Sequence, residues 1–155
     1  MSAAVAAALS LVAPLALGAC SSAPRETGDW PWYDSAAAIQ EGSDAAVYVE
    51  VERVDPGEGD EAGINQCSAT VIASDPKIAE SELVIGVPAS ATGRRVEVKA
   101  GGQYVMFVNL FEDAKASVVS PGQGVFPVTE GEVGKSGEDT FTIADVATRL
   151  DLKQA

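Results

Sequence analysis

Two cysteines, no histidine and a surplus of carboxylates are the reactive groups this chain has to offer. Without histidine the commonest general base and transition-metal ligand is missing. Ser-His-Asp and Cys-His hydrolytic arrangements are therefore excluded. A glycosidase-type carboxylate pair needs a set separation across a cleft, which spacing along a chain does not supply, so no enzyme is expected. The densest acidic stretch is Asp55-Pro56-Gly57-Glu58-Gly59-Asp60-Glu61. Its Asp55, Glu58, Asp60 and Glu61 are oxygen ligands suited to a hard cation, but the glycine and glutamate spacing of an EF-hand is absent. The stretch reads as a solvated, turn-rich loop, and no metal or cofactor is expected. Gly101-Gly102 and Gly122-Gln123-Gly124 are turn glycines outside any strand-to-helix phosphate-binding pattern. Arg94-Arg95, the one basic pair, reads as an exposed turn entering a charged strand.

Cys20 closes the stretch Leu17-Gly18-Ala19-Cys20, after an apolar run from Ala3 to Leu17 and before a polar tract from Ser21 to Asp29. An aliphatic residue, two small residues and a cysteine resemble the lipobox of a bacterial lipoprotein precursor, whose cysteine is lipidated and becomes the first mature residue. The resemblance implies a signal peptide over 1–19, a diacylglyceryl thioether on Cys20 and a flexible tether over 20–29. A single domain over 30–155 would then stand on the extracytoplasmic face of the cell membrane. Two acyl chains are enough for stable anchoring. Two departures from the pattern are Gly18 at the middle small position and the lack of a basic opening, the first basic residue being Arg25. The second departure leaves open whether Met1 is the true start.

Two other readings of the same run stand beside this one. A membrane-spanning helix needs about 20 predominantly apolar residues, and this run is shorter and broken by Pro14. An ordinary secretory signal would be cut near Ala19 without lipid. If Cys20 is lipidated, Cys67 is alone; it lies in the strand-like Gln66-Cys67-Ser68-Ala69-Thr70-Val71 and reads as a buried, inert thiol. If Cys20 is not lipidated, a Cys20–Cys67 disulfide is open to it.

Removal of 19 residues from a chain of 155 leaves 136, enough for one core. The 23 acidic and 10 basic residues all follow Cys20, so the mature domain keeps the whole net charge of −13. Such a domain is repelled by nucleic acid and by anionic surfaces, which argues against nucleic-acid partners. The abundance of Ala, Gly, Val, Asp and Glu resembles secreted proteins of high-G+C, actinobacterial-like bacteria.

The elements that must position these groups follow in order. Trp30-Pro31-Trp32-Tyr33 gathers three aromatics at the domain boundary, either as a plug for one end of the core or as a binding patch. Asp34 or Ser35 caps a short helix from Ser35 to Gln40 or Glu41, closed by Gly42. Ala45 to Val54 alternates, with Val47, Val49 and Val51 opposite Tyr48, Glu50 and Glu52, which predicts a half-buried strand. Asn65 to Ser74 and Glu82 to Val87 are two more. Arg94 to Ala100 alternates charge with valine and, through Gly101-Gly102, is expected to form a hairpin with Gln103 to Phe111. That last run is apolar at nearly every position, so both its faces should be covered. Ser117 to Val119 and Gly124 to Val128 are short strands, and Glu130-Gly131-Glu132-Val133 marks a further turn. A closing helix is expected with Thr142 as N-cap, an apolar stripe of Ile143, Val146, Ala147 and Leu150, and an Asp145–Arg149 pair.

These parts predict a mainly β fold: a small antiparallel OB-like β-barrel with short N- and C-terminal helices. From Tyr33 to Val133 the layout resembles small secreted bacterial OB-like domains, and the tissue inhibitors of metalloproteases and netrin-type modules have a related one. The expected function is a lipid-anchored binding or interaction module of the cell envelope, held to the membrane through Cys20 and meeting an envelope protein or a small ligand. A netrin-like protease inhibitor and a carrier of lipids or glycans are the alternatives. In the metalloprotease inhibitors a free N-terminal cysteine reaches the zinc; lipidation of Cys20 would pin that residue at the membrane.

Overall fold

Alternating valines build the first wall of a barrel. The computed structural model describes residues 30–59, 63–89, 95–137 and 141–155. Strand β1 (Ala45–Pro56) turns Val47, Val49 and Val51 inward, all fully buried. It pairs antiparallel with β2 (Ile64–Asp75), and Glu52 and Ile72 each stand unpaired at a register shift. Such bulges bend a strand and raise its twist, which lets β1 follow β2 along one edge and β4 along the other. Strand β3 (Glu82–Pro88) continues the sheet beside β2. Strands β4 (Gln103–Leu110) and β5 (Lys115–Val118) complete it.

The barrel closes in the order β1-β2-β3-β5-β4 and back to β1. Every contact in that ring is antiparallel except β3–β5, which is parallel through Val84–Lys115, Ile85–Ala116 and Gly86–Ser117. This is a small OB-like barrel with two short helices outside it. Its interior is filled by the valines of β1, Cys67, Leu83, Ile85, Tyr104, Met106 and Val108.

β4 is buried and apolar from Tyr104 to Val108 because it faces two cores, as its composition predicts. Tyr104, Met106 and Val108 point into the barrel, while Val105 and Phe107 point outward under a second cluster. That outer core is roofed by β6 (Val125–Thr129), β7 (Glu132–Val133), α2 (Ala144–Arg149) and β8 (Lys153–Gln154), with α1 (Ala36–Glu41) at its side. Phe107 meets Phe126 edge to face at 6.1 Å, a favoured aromatic geometry. β6 and β7 join through Glu130-Gly131, whose φ values of 53° and 78° are those of a two-residue I′ hairpin turn.

α1 is capped as expected: the Ser35 hydroxyl accepts the Ala38 N–H, and Gly42 ends the helix. A Cβ at Gly42 would come within 2.7 Å of the Tyr33 ring, so a larger residue there would have to displace that ring.

Three local expectations are corrected. The described part of the Arg94 to Ala100 run, Arg95 to Ala100, forms no hairpin with the following one, since 95–99 lies outside the sheet. Both edges of β4 are already taken, one by β1 and the other by β5 and β6 in succession. The segment is held instead by the Tyr104 hydroxyl, which accepts the Lys99 N–H and donates to the Glu97 carbonyl. The closing helix takes Ile143, not Thr142, as its N-cap, because the Gln154 side chain accepts the Ile143 N–H. Arg149 reaches Asp75 on β2 and Gln40 on α1 rather than Asp145. The predicted stripe of Ile143, Val146, Ala147 and Leu150 is fully packed.

Candidate functional site

A cleft of about 330 Å³ opens at one end of the barrel, where β1 and β3 finish and β2 begins. Val54, Val87, Pro88, Val96, Val98 and Pro121 supply its apolar surface. Asn65, Arg95 and Glu97 line the same opening, and the Glu97 carboxylate is paired with Lys99 at 2.9 Å. The lining is divided about evenly between polar and apolar surface, more polar than the mostly apolar make-up usual for a small-molecule site. The 95–99 segment forms one wall because Tyr104 ties it there, so the valine alternation of that run serves the cleft as well as the barrel.

The opposite wall leads to the turn Ser120–Gly124. Four of its five residues are buried, which is unusual for a turn. Burial requires partners for its backbone groups. Ser120 accepts from Gly124 N–H at 2.6 Å, and the Gly124 carbonyl accepts the Phe107 N–H. Gln123, fully buried, turns its side chain to the entering chain: its Oε1 accepts the Tyr33 N–H at 2.9 Å and its Nε2 donates to the Tyr33 carbonyl at 2.8 Å. This amide clamp fixes the backbone of the entering aromatic segment to the turn.

The clamp divides the three boundary aromatics. Tyr33 packs against the outer core, while Trp30 and Trp32 remain 37% and 60% exposed. The segment therefore plugs with its tyrosine and presents its tryptophans.

Cys67 lies fully inside the barrel. Burial, and secondarily the charge of Asp55, pushes its thiol up to about 11. At neutral pH roughly one molecule in ten thousand carries the thiolate, the reactive form. In the acidic loop, Asp55 is paired with Arg53 at 2.6 Å and Glu58 is exposed. Asp60 and Glu61 lie outside the described residues, as do Cys20, Arg94, the expected signal peptide over 1–19 and the expected tether over 20–29. Among the described residues no three metal-ligating side chains gather, and no helix is long and apolar enough to cross a membrane.

Sequence reasoning missed both the cleft and the clamp. The valines at 96 and 98 carried a signal for inward packing but none for which neighbour they would face. Gln123 looked like an ordinary turn residue. Comparison of the chain with protein-family models, with curated proteins and with solved structures found no match.

Proposed function

We propose that this chain is a lipid-anchored binding module of the extracytoplasmic face of the cell membrane, without a catalytic step of its own. The observation that carries the binding role is the cleft at the barrel end, a recess of mixed polar and apolar surface lined in part by Asn65, Arg95 and Glu97. Its volume of about 330 Å³ is at the lower end of the range for small-ligand pockets. The Leu17-Gly18-Ala19-Cys20 stretch supports the anchor. The lack of histidine and the suppressed Cys67 thiol support a role in binding over covalent chemistry.

A carrier of a small lipid or glycan is the second reading, favoured by the valines and prolines in the same lining. Crosslinking on intact native cells, followed by recovery and mass spectrometry beside a Cys20→Ala control, separates the two. One dominant protein neighbour, lost with the anchor, identifies an interaction module. Lipid or glycan recovered in its place identifies a carrier. A hydrolytic turnover abolished by one carboxylate substitution would overturn both.

A further inference from the structure

Trp30 and Trp32 are the only tryptophans in the protein, and both stand exposed at the point where the chain enters the domain. Large exposed indoles carry a solvation cost, and here they are presented from a fixed base, because Gln123 grips the backbone of Tyr33 next to them. Nine residues lie between Cys20 and Trp30, and a chain of that length spans at most about 35 Å. With acyl chains on Cys20, no other part of the domain is tied more closely to the bilayer. Indole combines an apolar body with a polar N–H and favours the boundary between hydrocarbon and water.

We infer that Trp30 and Trp32 insert into the headgroup zone of the phospholipid bilayer that holds the anchor, and so seat the barrel in one orientation. The inference rests on the proposed acylation of Cys20. Two acyl chains already retain the protein, so the tryptophans contribute orientation rather than affinity. A net charge of −13 repels anionic headgroups, so the seat is made by aromatic contact and does not weaken in high salt.

The test uses the full-length protein purified from its native membranes and reconstituted into phosphatidylcholine vesicles. All tryptophan emission comes from this one segment. Emission should shift to the blue relative to Cys20→Ala protein in buffer. Lipids brominated high on the acyl chain should quench it more than lipids brominated near the chain end, equally at low and high salt. Trp32→Ser, at an exposed position, should remove part of the quenched emission and leave the thermal midpoint in place. Intact-mass analysis of the Cys20 peptide reports acylation separately. An acylated protein whose emission neither shifts nor quenches overturns the seat and leaves the anchor standing. A Cys20 peptide without acyl mass overturns both. Indoles shielded from acrylamide but untouched by brominated lipid would place a second copy of this chain on the patch and overturn the bilayer assignment.

Discussion

Replacing Gln123 by leucine keeps the volume of a fully buried side chain and removes its amide. Two hydrogen bonds to the Tyr33 backbone are lost, at 2.9 and 2.8 Å. Each is worth about 1 kcal/mol net, and a backbone group left dry costs about 1–3 kcal/mol. Tyr33 is half-buried, so water can reach part of what is orphaned. The expected loss is about 2–3 kcal/mol, capped because the aromatic segment can peel away while the barrel stays closed. In a domain of this size each kcal/mol lowers Tm by roughly 3–5 °C, giving a drop of about 10 °C. Urea unfolding followed by far-UV circular dichroism measures the loss. Hydrogen exchange at Tyr33, whose N–H the clamp holds, separates local peeling from global destabilisation. Leucine at 123 with stability within about 0.5 kcal/mol of the native protein, and with Tyr33 exchange unchanged, would refute the clamp.

Three further outcomes follow from the same geometry. Tyr104→Phe removes the hydroxyl that binds Lys99 N–H and Glu97 carbonyl; it should cost about 1–2 kcal/mol, speed amide exchange at Lys99 and loosen the wall of the cleft. The raised Cys67 thiol makes the unfolded chain deprotonate first. Stability from this group is therefore complete below pH 9 and lost as pH rises from 9 towards 11; urea midpoints should fall more steeply over that window in the native protein than in Cys67→Ala. Arg149→Met keeps the aliphatic stem but breaks the contacts to Asp75 and Gln40. Because the pair is partly exposed, the cost should be about 1 kcal/mol or less and should shrink in high salt, read as converging thermal midpoints of the two proteins.

How much of this was legible in the sequence depends on the range of the interaction. Period and punctuation are local, so the alternation of β1, the cap at Ser35, the Glu130-Gly131 turn and the doubly covered β4 could be read directly. Partner choice is not local. The run at 95–99 shows the pattern of a strand and a fitting turn after it, yet β4 was already saturated by β1, β5 and β6. Arg149 similarly found a nearer carboxylate 74 residues away than the one on its own helix. β8 is two residues long and leaves no periodic trace, although its Gln154 sets the start of α2. The candidate site suffered most, because the cleft is assembled from five separate stretches of chain and no one of them contains it.

β4 makes the two cores a single mechanical unit. Val105 and Phe107 cannot leave the outer cluster without dragging Tyr104 and Met106 out of the barrel, since the four share one short backbone. Neither half can then melt as an independent foldon. The amides of β4 should be the last in the molecule to exchange, and circular dichroism and core-packing probes should trace one coincident transition.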